Sequence, residues 1–230
     1  MQPKKDTFPG GLITGLPVFF SYLPIAITFG LLARGAELDM VQTISFSALV
    51  FAGASQFVAL NLLNLGAGFP EIIITTFLVN LRHLLMSASV FTKIEKPRWT
   101  PILGFGVTDE SFAIAGTRPG KLTVPYLFGL QLIGYLGWVG GTALGYITGD
   151  FLPDILRAGM GFALYALFIA LLAPPANKSR KILTVALVAG AINWGFSLLG
   201  LTQAGVRIVL GIIGGALTGS FLDPEGRGLR

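Results

Sequence analysis

The sequence predicts an all-α protein that crosses a membrane several times, and three observations lead to this fold class. Hydrophobic residues make up 53% of the chain and charged residues only 12%, whereas about a quarter of the residues in a soluble domain are charged. The mean hydropathy is +0.76. Five stretches without charge each reach the roughly 20 residues that cross a bilayer: 7–33, 40–70, 122–149, 158–177 and 182–206.

About seven transmembrane helices are expected: 12–33, 41–63, 70–92, 124–148, 155–174, 181–200 and 204–222. An eighth segment, 101–116, is shorter and carries two adjacent acidic residues. If this segment crossed the membrane fully, the two strongest basic clusters would lie on opposite sides. The segment is therefore expected to be short and broken, or re-entrant. Because Lys and Arg favour the cytoplasmic side, Arg34, Lys93 and Arg118 are then inside. The C-terminus is expected inside, and the N-terminus, with Lys4 and Lys5, outside.

Residues 1–230 form a single membrane domain in this interpretation, with pseudo-repeat halves at about 1–120 and 121–230. A constant offset lays Gly30 on Gly140 and Ser87 on Ser197. Three crossings and a returning segment in the first half would relate the halves by inversion, which is typical of secondary transporters. Chance spacing of similar spans is the alternative.

Several functional classes are excluded by composition. The chain has no cysteine, so disulfides, thiolate metal sites and cysteine nucleophiles are excluded. No phosphate-binding loop of the G-x-x-x-x-G-K-[ST] type occurs, and we expect no cofactor or metal. The net charge of +5 comes from basic residues in short loops, as in membrane proteins, and does not indicate nucleic-acid binding.

Arg82 and His83 lie near the middle of an apolar segment, and ionisable residues at such depth usually mark a pathway. Arg82 has three interpretations: it reaches towards an interface, pairs with Asp109 or Glu110, or binds a substrate carboxylate. His83 either relays protons or only packs, and Asp109 and Glu110 are further candidates for proton coupling.

Other polar residues and prolines lie at comparable depth. Ser55, Gln56 and Asn80 either contact substrate or only link helices by hydrogen bonds. Pro17 and Pro24 each remove an amide donor, so they either break the first helix beside a cavity or lie within a packed helix. Two glycine series, spaced by four residues, provide smooth helix faces that join the halves or receive a partner helix: Gly137, Gly141, Gly145 and Gly211, Gly215, Gly219.

Three ordered motifs resemble the AzlC family, the large subunits of bacterial branched-chain amino acid exporters: Gly53-Ala54-Ser55-Gln56-Phe57, Asn80-Leu81-Arg82-His83 and Thr108-Asp109-Glu110. The opening Gly15-Leu16-Pro17, Pro24 and Phe29-Gly30 are similar as well. The resemblance implies a small AzlD-type membrane subunit as partner. It also implies export of valine, leucine, isoleucine and possibly methionine, driven by the proton motive force.

Two other classes are weighed against a transporter. An intramembrane hydrolase would pair a serine with His83, but Ser87 lies on the same helix and no G-x-S-x-G elbow is present. We therefore expect that the chain is not an enzyme. A channel would conduct through rings of polar residues without stoichiometric coupling. The buried charges and the pseudo-repeat favour a transporter over both. A transporter for another small amphipathic solute is the further alternative to an amino acid exporter.

Overall fold

The computed structural model describes residues 6–94, 99–149, 179–200 and 204–222, together with 169, 172–174 and 176–177. The helices of this part follow in the order α1 (Phe8–Gly35), α2 (Met40–Val50), α3 (Gly53–Asn64), α4 (Phe69–Phe91), α5 (Thr100–Phe105), α6 (Asp109–Thr117), α7 (Val124–Thr148), α8 (Arg180–Leu199) and α9 (Ala204–Leu222).

Five of the described helices are long and apolar enough to cross a membrane: α1, α4, α7, α8 and α9. They coincide with five of the seven predicted spans, and the chain is a multi-pass membrane protein. The predicted span 155–174 lies almost wholly outside the described residues, as do Lys4 and Lys5.

The chain divides into two compact units. Unit 1 comprises Met1–Gln56 and Asn80–Met160, and unit 2 comprises Phe57–Val79 and Gly161–Arg230. Every site residue that the sequence singles out belongs to unit 1, so the arrangement of that unit decides the site.

Helices α1 and α7 form the core of unit 1 and run parallel. Gly11 of α1 faces the backbone of Tyr126, and Ile27 faces Gly145 at the other end of the contact. A Cβ atom at Gly11 would lie 2.0 Å from the Tyr126 carbonyl oxygen. Glycine therefore allows the two backbones to approach directly, as is common between membrane helices.

The two ends of the α1–α7 pair are marked by different arginines. At one end, here called the Asp6 end, the Arg118 guanidinium forms an ion pair with the Asp6 carboxylate, and the Thr123 hydroxyl donates to the Asp6 carbonyl at 2.6 Å. At the other, the Arg34 end, the Arg34 guanidinium donates to the Tyr146 carbonyl oxygen at 2.8 Å and lies over the Tyr146 ring.

Two topological predictions are wrong. Loop charges placed Arg34 and Arg118 on one face with the N-terminus on the other, whereas Arg118 lies beside Asp6 and Arg34 lies at the opposite end. Inverted halves would make α1 and α7 antiparallel, whereas these helices are parallel. Both predictions assumed that 41–63 is one uninterrupted crossing, and it is not.

Segment 41–63 consists of two short helices, α2 with 11 residues and α3 with 12. Between them Phe51 has φ of 42°, in the left-handed region that is uncommon for residues with a side chain. Its ring contacts Tyr22 and Tyr135, which lie about halfway along α1 and α7. Each short helix measures less than about 20 Å, too little to cross a bilayer core alone.

The predicted helix breaks at Pro17 and Pro24 are wrong. Helix α1 runs without interruption from Phe8 to Gly35 with both prolines inside it. Each proline removes one backbone hydrogen bond, but the contact with α7 extends along the helix on both sides of the prolines. This packing stabilises α1 as one helix, in agreement with the alternative of prolines within a packed helix.

Helices α5 and α6 form a hairpin whose two flanks meet at the same place. The Leu122 N–H donates to the Lys93 carbonyl at 2.7 Å, and the Lys93 ammonium donates to the Gly116 carbonyl at 2.5 Å. The Gln131 amide, about a third of the way along α7, donates to the Leu103 carbonyl at 2.9 Å. The hairpin reaches the middle of α7, where the Phe105 and Tyr135 ring centroids lie 6.1 Å apart. This path agrees with the broken or re-entrant interpretation of the eighth segment.

Both predicted glycine series pack against helices of this chain. The series on α7 faces α1, and the series on α9 faces α8 in unit 2: Gly137, Gly141, Gly145 and Gly211, Gly215, Gly219. The first contact joins the leading helices of the two predicted halves. Because helices of the same chain cover both series, neither is available to a partner helix.

Candidate functional site

The predicted site residues of unit 1 lie around two interruptions between helices. One is Phe51–Ala52 between α2 and α3, and the other is Gly106–Thr108 between α5 and α6. The Phe51 and Phe105 rings at these interruptions lie 6.1 Å apart, centroid to centroid. In membrane proteins, interrupted helices are tolerated where they are buried in protein or line a cavity, and they often form binding sites.

Arg82 of α4 and Asp109 of α6 form an ion pair beside the second interruption. Arg82 Nη2 lies 3.1 Å from Asp109 Oδ2, and each side chain is 38% exposed. Arg82 Nε is buried and has no hydrogen-bond partner among the described residues. Of the three interpretations of Arg82, the structure therefore contains the pairing, and it leaves one donor of the guanidinium unused.

The first turn of α6 holds the two adjacent carboxylates. Thr108 and Ser111 form a reciprocal capping box at its N-terminus, in which the Thr108 N–H donates to the Ser111 hydroxyl at 2.8 Å. The first turn thus begins with Asp109 and Glu110, where the positive end of the helix dipole stabilises negative charge. The capping sequence determines where both carboxylates lie.

Glu110 accepts a hydrogen bond from the hydroxyl of Tyr22, in the middle of α1. The Tyr22 side chain is buried and makes edge-to-face contacts with the rings of Phe51 and Trp138. The carboxylate of Glu110 and the interruption at Phe51 are therefore joined through one side chain.

Gln56 is fully buried and serves as a hydrogen-bond junction at the first interruption. Its side-chain oxygen accepts from the Ala52 N–H at 3.2 Å and from the Trp138 indole N–H at 3.0 Å. Its amide group donates to the Ser47 hydroxyl at 3.1 Å. Among the two interpretations of Gln56, these bonds favour the structural link over direct substrate contact.

Ser55 and Asn80 connect α3 to α4. The Asn80 amide donates to the Ser55 hydroxyl at 3.0 Å, and that hydroxyl donates to the Ala52 carbonyl at 2.9 Å. Asn80 Oδ1 is buried without a partner among the described residues. Because residues two apart on a helix do not face each other, Asn80 and Arg82 point to different neighbours of α4. His83 is partly buried, close to the Asn80 backbone and to Asp109.

Two residues of this site, Tyr22 and Trp138, were not predicted from the sequence. An aromatic residue within an apolar span has no signature of its own, and the partners of Tyr22 and Trp138 lie more than 80 positions away. The depth of these two residues in the membrane is the sequence signal that could have identified them. Tyr and Trp in membrane spans concentrate at the two interfaces, whereas these two lie midway along their helices and bring a hydrogen-bonding group to the interior.

The fold and the site define a class of protein. The chain is a polytopic helical membrane protein with a polar interior site. This class is defined by the apolar helices that cross a membrane, the two interrupted helices and the partly exposed ion pair beside one interruption. A family model described as the AzlC protein matches residues 17–152, more than half of the chain. The chain belongs to the AzlC family, as its motifs indicate.

Its relatives are membrane proteins. An uncharacterized membrane protein of Archaeoglobus fulgidus is 38% identical over 223 residues, 96% of this chain and 95% of the relative. Inner membrane protein YgaZ of Escherichia coli is 30% identical over 227 residues, 94% and 91%. Branched-chain amino acid transport protein AzlC of Bacillus subtilis is 32% identical over 171 residues, 72% and 66%. No solved structure matches this chain.

Proposed function

We propose that this chain is the large subunit of a secondary transporter that exports branched-chain amino acids, with methionine as a further substrate. The name of the Bacillus subtilis relative supports the substrate class. The observation that carries the proposal is the ion pair of Arg82 and Asp109. Each of the two side chains is 38% exposed, and the pair lies beside an interrupted helix.

A zwitterionic amino acid matches this pair in charge. Its carboxylate replaces Asp109 at the Arg82 guanidinium, whose forked donors suit bidentate binding. Its ammonium group then pairs with the Asp109 carboxylate, which is released from Arg82. The exchange leaves no buried charge unpaired, which matters because an uncompensated charge in such surroundings is costly.

An aliphatic side chain needs an apolar space next to these charges. A cavity of about 180 Å³ reaches both interruptions and has an almost entirely apolar surface. It is lined by Phe51, Ile102, Phe105, Gly106, Phe128, Gln131, Leu132 and Tyr135. Burial of a leucine-sized side chain stabilises the complex by about 1.5–3 kcal/mol, and we assign this cavity to the substrate's side chain.

Coupling to protons requires a group that changes charge during the cycle. The candidates are His83, Asp109 and Glu110. Asp109 is occupied by Arg82, whereas the bonded partner of Glu110 is a neutral hydroxyl. We therefore assign the coupled proton to Glu110, and its uptake from outside drives export of the amino acid.

The orientation follows from the charges at the Asp6 end. Lys93 and Arg118 lie there close to the N-terminus of α1, and Lys and Arg favour the cytoplasmic side. We propose that this end faces the cytoplasm of a bacterial inner membrane. The N-terminus and the C-terminus are then both inside, and α2–α3 forms a second re-entrant segment from the outside.

A small AzlD-type membrane subunit completes the transporter in this proposal. The support for it is the family alone, because the glycine series are covered by helices of this chain. Purified chain and small subunit in proteoliposomes provide the test. Saturable leucine movement that depends on a pH gradient is expected, whereas ion current without saturation would identify a channel instead.

A further inference from the structure

Tyr22 places a hydroxyl group in the buried interior of unit 1, and this group has no role in the transport cycle proposed above. Its side chain is 7% exposed, and its hydroxyl donates to Glu110 Oε2. A tyrosine hydroxyl in the middle of a membrane span must find a partner, because an unpaired polar group there is costly. That its partner is an ionisable carboxylate gives the contact a consequence beyond packing.

The ring of Tyr22 is held from two sides. The Trp138 ring centroid lies 5.6 Å away and the Phe51 centroid 6.3 Å away, both nearly perpendicular to the Tyr22 ring. Trp138 in turn donates to Gln56, which also accepts from the Ala52 amide at the α2–α3 interruption. The position of the hydroxyl is therefore linked to the geometry of that interruption.

The charged and titratable groups around Glu110 come from three helices. Tyr22 faces it from α1, and Asp109 precedes it on α6. Arg82 and His83 belong to α4 and lie close to Asp109. Because Arg82 is paired with Asp109, the described contacts leave Tyr22 as the side chain that donates directly to Glu110.

We infer that Tyr22 is a positioning residue that links the charge state of Glu110 to the α2–α3 interruption. A hydrogen bond donated to a carboxylate favours its charged form. When Glu110 binds a proton, the charge that strengthens this bond disappears. The weakened bond then releases the ring that packs on Phe51. The relevance of this link to transport rests on the proposed function, whereas the protonation itself does not.

The test measures the protonation of Glu110 directly. Infrared spectra of the purified protein are recorded as a function of pH, and the carboxyl band that disappears in Glu110→Gln is assigned to Glu110. Tyr22→Phe removes only the hydroxyl and keeps the ring contacts. We expect the pH midpoint of its band to differ from that of the wild type.

Tyr146→Phe is the matched control, because it removes the hydroxyl of a tyrosine on α7 that packs on Arg34 at the far end of the helix pair. Its midpoint should equal that of the wild type. An unchanged midpoint in Tyr22→Phe would overturn the inference, and so would the absence of a Glu110 band at any pH. Leucine transport measured over the same pH range separates the two proposals. A midpoint shift with pH-independent wild-type transport supports the link but removes proton coupling.

Discussion

Arg82 illustrates how much a single charge within a membrane span constrains this protein. An unpaired arginine at the centre of a membrane span costs at least about 2.5–3.5 kcal/mol, and Asp109 offsets this cost at a distance of 3.1 Å. A substrate that enters the pair must replace both partners, which favours a molecule with one carboxylate and one ammonium group. A solute with a single charge would leave either Arg82 or Asp109 unpaired, and the same requirement therefore disfavours it.

The three hydrogen bonds of Gln56 lead to a prediction about stability. Gln56→Ala leaves the Ala52 amide and the Trp138 indole without their acceptor, and each unsatisfied buried donor costs about 1–3 kcal/mol. We expect a clearly lower Tm for the purified protein in detergent. Asn64→Ala, an exposed amide at the end of α3, is the control and should keep the wild-type Tm. An unchanged Tm in Gln56→Ala would contradict the structural role.

Sequence alone predicts the charged part of the site and misses its aromatic part. Arg82, Asp109 and Glu110 are conspicuous because charge is rare within apolar spans. Whether Arg82 pairs or reaches towards an interface does not follow from the sequence, because the pairing depends on α6 placing Asp109 against α4. Tyr22 was missed because its chemistry depends on Glu110, which is 88 positions away in sequence.

At the scale of helices, the close parallel packing of α1 on α7 outweighs local preferences. Two prolines fail to break α1, while α2 ends at Phe51 although no proline is present there. The sequence signal for a helix break is local, but the break at Phe51 is stabilised by Gln56, Trp138 and Tyr22 from three separate segments. Helix existence was therefore predictable from apolar length, whereas helix continuity was not.

The α1–α7 contact provides a stability prediction with an internal control. In Gly145→Ala the new Cβ would lie 2.0 Å from the Ile27 carbonyl oxygen, so the helices must separate. We expect a loss of at least about 1–3 kcal/mol, the usual cost of overpacking. Gly140→Ala, on the same helix, meets no atom within 4 Å. If both variants unfold at the same temperature in a detergent thermal scan, the close packing is not what stabilises the pair.

At the scale of the whole molecule, the orientation of unit 1 in the membrane is testable because the chain has no cysteine. Single cysteines at Thr7 and Lys121 should be protected from an impermeant thiol reagent in intact cells, since both positions belong to the proposed cytoplasmic end. A cysteine at Glu37, near Arg34, should be labelled. Labelling at Thr7 together with protection at Lys121 would show that the proposed common side for these two positions is wrong.

A second prediction at this scale concerns the small subunit. Expressed alone in cells, the chain should export little or no leucine, and co-expression with an AzlD-type subunit should raise the rate at least tenfold. The two proteins should also purify together through a tag on either one. Full export by the purified single chain in proteoliposomes would show that the partner is not required.

Leucine efflux by Arg82 variants tests most directly whether Arg82 binds the substrate carboxylate. Efflux of labelled leucine is measured in cells that contain equal membrane amounts of wild type, Arg82→Ala and Arg82→Lys. Arg82→Ala is expected to abolish efflux, and Arg82→Lys to reduce it at least tenfold, because a single ammonium lacks the forked donors that hold a carboxylate. Efflux at the wild-type rate by Arg82→Ala would contradict the proposed site.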